Sequence, residues 1–203
     1  MDEKCGDELT HSFFALKKAF EEIVSQITRI APDNCQMEHL RDTPRRLANA
    51  YLKDYFWGLS RDPRAELGSG FLSSIDEMIF ITEIPFESIC AHHFIPFIGK
   101  VHFAYLPHGK IIGLSKVPKM IDVLAHRPQV QEELTEQIAD TFLEALNGDT
   151  KPLGVGVVVE AEHFCLALRG AKKRGVITKT HTLRGDFLNE KEVRQEFFDG
   201  ISR

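Results

Sequence analysis

The hydrophobic period changes along this chain, and that change limits the folds open to it. Over residues 8–30, Leu9, Phe13, Leu16, Phe20, Ile23 and Ile27 recur at steps of four and three, the stripe of an amphipathic helix. Over 153–168 the period is two, with Val155, Val157, Val159 and Ala161 on one face of a strand. Between these, Thr43 and Pro44 supply an N-cap and first residue for a second helix, which buries Leu47, Tyr51, Leu52, Tyr55 and Phe56 and ends near Gly58. Residues 59–74 read as a loop. Residues 78–84 and 94–106 are β-branched and aromatic and read as strands, broken by Pro85, Pro96 and the Pro107-His108-Gly109 turn. Pro118 opens a further helix, and Pro128 opens another that runs through Val130, Leu134, Ile138, Phe142 and Leu146 to a stop at Asn147-Gly148. A weaker strand over 176–183 and a charged helix from Asn189 close the chain. Helices, strands, helices, strands is an α+β order rather than a βαβ repeat.

A formal charge of -5 over 203 residues leaves no global basic field, so nucleic acid is not expected as a partner and any polyanionic substrate must be met by locally gathered cations. No run approaches the roughly 20 apolar residues of a membrane span. The acidic start MDEKCGDELTHS lacks a basic region followed by an apolar one, so a cytoplasmic location and no membrane partner are expected. Four cysteines, Cys5, Cys35, Cys90 and Cys165, then read as thiols or metal ligands rather than a disulfide framework, with Cys5 and Cys35 as surface thiols.

The densest chemistry lies in Cys90-Ala91-His92-His93, with its complement in His163-Phe164-Cys165. On a strand, residues two apart share a face. Cys90, His93 and Cys165 would offer zinc (Zn2+) two thiolates and an imidazole, leaving a fourth tetrahedral position for water, while His92 and His163 stand beside them as proton carriers. Spacing equally permits a closed structural site with His163 as the fourth ligand. Further along, Gly113-Leu114-Ser115-Lys116 precedes Pro118 where a helix N-terminus suits phosphate. Lys116, Lys119, Arg46 and Arg169 could add charge, although each alone also reads as a solvated surface cation. Gln131 and Glu132 open the long helix, where a carboxylate is favoured by the helix dipole; it would also accept from two adjacent N–H donors of a purine base.

In order and spacing, Cys-x-His-His, GKVHFAYLPHGKIIGLSK, RPQVQEELTEQIA and VGVVVEAEHFCLALRG are similar to GTP cyclohydrolase I over residues 42–187. The resemblance implies a tunnelling fold (T-fold), an antiparallel sheet with two long helices on one side and an N-terminal helical region, residues 1–75 helical and 76–203 catalytic. It implies a barrel formed on oligomerisation, as a homodecamer of two pentamers. It further implies conversion of GTP and water to 7,8-dihydroneopterin triphosphate and formate at a zinc ion held by Cys90, His93 and Cys165. His92 and His163 would move protons, Glu132 with Gln131 would recognise guanine, and Ser115, Lys116, Lys119, Arg169 and Arg46 would hold the triphosphate.

The chain departs from the family pattern at Ala91, where Glu is usual, at Lys119, where Arg is usual, and at His181 and Arg184, where small uncharged residues are usual. Lys119 keeps the charge but loses the guanidinium fork. Two other readings stand beside the first: a related cyclohydrolase that acts on another nucleotide or stops at a formamide, and a non-catalytic pterin-binding oligomer.

Overall fold

A computed structural model describes residues 3–30, 37–146 and 151–202, with side chains from residue 8 onward. The expected Asn147-Gly148 helix stop and Cys35 lie outside the described residues. The chain forms two compact units, Met1–Trp57 and Gly58–Arg203.

In the first unit, α1 (Glu3–Ile30) packs on α3 (Thr43–Asn49), with the short α2 (Met37–Leu40) between them in sequence. Only part of the α1 stripe is covered: Phe13, Leu16 and Phe20 are half-buried, whereas Ile23 and Ile27 are exposed and Thr28 turns inward. Phe20 meets Tyr51 at 5.4 Å between ring centroids. Asp42, not Thr43, occupies the N-cap of α3, and Pro44 sits in the first turn, where its missing N–H costs nothing. The helix continues past Asn49 as a π-helical stretch, Ala50–Tyr55.

The second unit is built on a sheet of order β5-β2-β3-β6-β7. Its strands are β2 (Ile79–Cys90), β3 (Pro96–Leu106), β5 (Pro128–Gln129), β6 (Gly154–His163) and β7 (Ile177–Gly185), antiparallel except for a two-residue parallel contact between β2 and β5. Strand β2 runs straight through Pro85, contrary to the expected break. Among the described residues its outer side pairs with β5 only at Ile89 and Cys90, so no strand lies beside it at Pro85 and the missing donor is harmless. The irregularity falls instead between Ile81 and Ile84, where Glu83 takes a positive φ of 58°.

Helices α4 (Lys116–Ala125) and α5 (Gln131–Ala145) cover one face. There Val101, Phe103, Val155, Val157 and Val159 meet Met120, Ile121, Leu134, Ile138 and Phe142, all fully buried. Each such side chain contributes about 1.5–3 kcal/mol of transfer free energy. Tyr105 is buried in the same layer, which raises its pKa, and its hydroxyl accepts from the Ile112 N–H at 3.0 Å. On the other face, Ala104, Val158 and Leu183 pack on Phe187 of α7 (Asp186–Asn189) and Phe197 of α8 (Lys191–Ile201). Gly99 lets β3 and β6 close up, since a Cβ there would lie 1.8 Å from the Glu160 carbonyl oxygen.

Two further expectations are corrected. Pro128 does not open a helix; Pro128–Gln129 is extended beside β2, and Val130 is the extended residue before α5. The 59–74 segment is not plain loop: it contains 3-10 turns at Trp57–Ser60 and Pro63–Glu66, then β1 (Phe71–Leu72) paired with β4 (Lys110–Ile111). Asp62 caps the second turn by accepting from the Arg64 N–H at 3.1 Å.

Candidate metal and catalytic centre

Cys90 ends β2, and the residues after it turn back on themselves. The His93 and Phe94 N–H groups donate to the Cys90 carbonyl at 3.3 and 2.9 Å, and the Cys90 N–H donates to the Ile95 carbonyl at 3.0 Å. Phe94 takes a left-handed φ of 50° to close the turn. The Ala91 N–H donates to the Gln129 carbonyl at 2.9 Å, tying the turn to β5. Gln129 in turn donates to the Leu124 carbonyl at 2.7 Å, and Ser88 to the Ala125 carbonyl at 2.6 Å. These backbone and side-chain bonds tie the turn to β5 and to the end of α4.

His163 ends β6 opposite Phe97 of β3. The strand expected over 153–168 stops there, and Cys165 lies in a single helical turn, α6 (Phe164–Ala167). Cys165 therefore reaches His163 through a helical turn and not along a strand face. The ligand atoms of Cys90, His163 and Cys165 all lie within 4.8 Å of one another. Zn–S and Zn–N bonds of about 2.3 and 2.0–2.1 Å would set such atoms about 3.5–4 Å apart around one ion, so this soft donor set fits zinc with small adjustments. Burial, then the neighbouring Cys90, raises the Cys165 thiol pKa.

The two histidines of the turn are placed differently from each other. His92 Nδ1 lies 3.8 Å from Cys90 Sγ. His93 is exposed, and its Nε2 accepts from Arg169 Nη1 at 2.5 Å. His163 is the better held: its ring stacks on Phe97 at 4.6 Å with 3° between planes, and its Nε2 meets Gln131 Oε1 at 2.7 Å. Burial lowers its pKa, while the charge of Glu132 acts in the opposite sense.

Gln131 is fully buried at the start of α5, and its amide nitrogen faces the Val159 and Thr178 carbonyls and Thr180 Oγ1 at 3.1, 3.0 and 3.2 Å. Glu132, the next residue, is exposed. Ser115 caps α4 by position without a side-chain bond; it and Lys119 are exposed, and Lys116 is half-buried. Among the described residues, no hydrogen bond or ion pair joins Ser115, Lys116 or Lys119 to the cysteine–histidine cluster. Arg46 lies on α3 in the first unit, where it lines a shallow surface depression with Glu38, His39, Arg41 and Asp42.

Residue-type reasoning on motifs did not find Phe97, Thr135 or Thr180, although all three surround the histidine or its amide partner. The alternation Thr178-x-Thr180-x-Thr182 on β7 was the available signal. Of the departures from the family pattern, Arg184 forms a two-pronged pair with Asp140 at 2.8 and 3.3 Å, and His181 sets its ring edge-on to Phe198 at 5.7 Å.

A curated GTP cyclohydrolase 1 of Campylobacter curvus is 42% identical over 188 residues, covering 92% of this chain and 96% of the relative. The GTP cyclohydrolase 1 of Campylobacter concisus is 43% identical over the same span, and that of Bacillus pumilus 41% identical over 186 residues, covering 91% of this chain and 96% of its own. The profile of the GTP cyclohydrolase I family matches residues 18–202. With a soft-donor centre in place and a match over nearly the whole length of both partners, the chain is a member of the GTP cyclohydrolase I enzyme family.

Proposed function

We propose that this chain is a zinc-dependent GTP cyclohydrolase I that converts GTP and one water into 7,8-dihydroneopterin triphosphate and formate, the entry step to folate and pterin synthesis. The observation that carries the reading is the convergence of Cys90 and Cys165 with an imidazole, in a chain that belongs to this family over residues 18–202. When bound, zinc supplies a Lewis acid that activates water near neutral pH.

The proposed ligands are Cys90, His93 and Cys165. His163 has its Nε2 committed to Gln131 and its ring sandwiched on Phe97, which suits a side chain that must return a proton to a fixed place. The His93 ring accepts from Arg169, and both side chains are exposed. Because His163 already lies within 4.8 Å of both thiols, a second ligand set with His163 in place of His93 is favoured by geometry alone. Zinc content separates the two: His93→Ala loses the ion under the first set and His163→Ala under the second.

In the remaining roles, His92 and His163 protonate the ring nitrogen beside the attacked carbon and move protons as formate leaves and the ribose opens. Glu132 accepts from the adjacent N–H donors of guanine, with Gln131 behind it. Ser115, Lys116, Lys119, Arg169 and Arg46 meet the triphosphate. A homodecamer of two pentamers is proposed as the working form, supported by the outer edge of β7 and the part of β2 before Ile89, which have no strand partner among the described residues, and by exposed Leu9, Phe14, Ile23, Ile27 and Ile30 on α1. A cytoplasmic location is proposed with it; among the described residues no helix is long and apolar enough to cross a membrane.

The test is incubation of zinc-loaded protein with GTP beside a chelated sample, following formate and the near-ultraviolet absorbance of the dihydropterin. Both products, each abolished by chelation, are expected. Formate without pterin would replace the reading with a truncated reaction, and no turnover by metal-filled oligomer would refute it.

A further inference from the structure

Gln131 has two faces, and the protein leaves no freedom in which is which. If its amide were turned over, the oxygen would point at the carbonyl oxygens of Val159 and Thr178, three acceptors meeting with no hydrogen among them. The nitrogen must therefore face the carbonyls and the oxygen must face His163 Nε2, 2.7 Å away. An oxygen with only lone pairs to offer requires a hydrogen on that ring nitrogen. The surrounding hydroxyls agree with this sense. Thr135 Oγ1 donates to the Gln131 backbone carbonyl at 2.7 Å, so Thr135 can only accept from Thr180 Oγ1 at 2.6 Å, which leaves the Thr180 oxygen to accept from the Gln131 amide at 3.2 Å. Every hydrogen in the chain runs one way, and each buried member is satisfied.

We infer that Gln131 is a positioning residue that holds the His163 ring with its Nε2–H turned to the Gln131 amide oxygen, with Thr135 and Thr180 as its supports. Phe97 fixes the plane of the same ring from its other side, at 4.6 Å and 3°. Ring plane, ring rotation and proton location are thus all set before substrate arrives. This differs from the substrate contact expected for Gln131 from the family resemblance: the side chain is 1% exposed and its amide is fully used inside the protein. It rests on the proposed cyclohydrolase reading only for its kinetic consequence, not for the tautomer.

The first measurement is independent of activity. Wild-type protein labelled with 15N in the histidine rings is examined by solid-state magnetic resonance at mildly alkaline pH with the metal removed, and His163 is assigned by its absence in His163→Ala. A protonated Nε2 and bare Nδ1 are expected; a protonated Nδ1 overturns the inference. In Gln131→Met, which keeps the length but offers no acceptor, the His163 signals should divide between both tautomers. Where Gln131→Met does not fold, Gln131→Leu makes the same test, since it too removes the acceptor, and an unchanged single tautomer in a folded variant of either kind overturns the proposal.

Kinetics then separate positioning from contact. Gln131→Met is expected to lower kcat on the order of 10- to 100-fold, the range for losing a partner that orients a working side chain, while KM for GTP stays within about threefold. Adding His163→Ala should cost nothing more than His163→Ala alone, to within about twofold. A raised KM with unchanged kcat, or independent losses in the double variant, overturns the assignment. A protein with the expected tautomer that yields no formate from GTP would instead refute the cyclohydrolase reading and leave the tautomer standing.

Discussion

Phe97→Leu separates what the aromatic layer contributes to folding from what it contributes to the site. Phe97 is wholly buried and makes two ring contacts, an edge contact with Phe86 at 5.8 Å and the flat stack on His163 at 4.6 Å. Leucine keeps most of the volume, so the loss is chiefly the two ring pairs. At about 0.5–1.5 kcal/mol each, this comes to about 1–3 kcal/mol. For a protein of this size that is a fall in melting temperature of roughly 3–10 °C. Phe103→Leu is the matched control: it is equally buried and also makes two ring contacts, with Phe142 at 4.8 Å and Tyr105 at 6.2 Å, but none with His163. Thermal unfolding followed by circular dichroism should give similar losses for both. Turnover of GTP at a temperature where both are folded should fall only in Phe97→Leu, with zinc content unchanged. Equal activity in the two variants would refute the idea that the stack holds His163 for catalysis.

Other perturbations have defined outcomes. Cys90→Ala and Cys165→Ala should each reduce bound zinc to a small fraction of one per chain, read by metal analysis after desalting; retention of a full equivalent by either would exclude that residue as a ligand. Gly99→Ala should yield little soluble protein, because the added carbon must push β3 and β6 apart next to Phe97; a soluble variant with wild-type melting would show the strands to be less constrained than a 1.8 Å approach implies. Asp122 is half-buried, and burial raises its pKa, with Glu87 adding to the rise and His126 opposing it. A carboxyl whose folded pKa lies above its unfolded value stabilises below the unfolded pKa, and that contribution is lost as pH rises through the folded one. Asp122→Asn should therefore gain stability near neutral pH, and the gain should vanish below about pH 4, in urea titrations at both pH values. A loss at neutral pH would mean the carboxylate is held by attraction that outweighs its burial.

The strongly periodic segments were readable from the residues alone because period reports which face is covered. The alternation of Val155, Val157, Val159 and Ala161 and the stripe of Leu134, Ile138 and Phe142 mark the two surfaces that meet in the core. Proline was the weaker guide. Its meaning depends on whether a donor is needed at that place, which Pro85, with no described strand on its outer side, and Pro128 beside β2 did not reveal in advance. Cys90, His93 and Cys165 were legible as a donor set, with His163 beside them as a proton carrier or fourth ligand, but the grouping of His163 with the two thiols depends on the turn after Cys90 and the helical turn at Phe164–Ala167, both fixed by backbone bonds that residue types do not announce. Gln131 was visible as the opening residue of a helix. That its amide would be consumed by the Val159 and Thr178 carbonyls follows from where α5 meets β6 and β7, which is a matter of tertiary packing.

The link from the Ala91 N–H to the Gln129 carbonyl bears on a reaction whose substrate changes shape more than most. With the roles proposed above, the carbon that is removed lies beside Cys90, and the half of the purine that survives is held at Glu132, three residues beyond Gln129. One peptide contact and one short span of chain therefore set the distance between the place of bond breaking and the place of retention. With those roles such a strap would work as a fixed jig: the pyrimidine half would stay clamped while the imidazole half is cut open, the sugar unfolds and the new ring closes. The intermediates need not find the site again, because the part that anchors them never takes part in the chemistry.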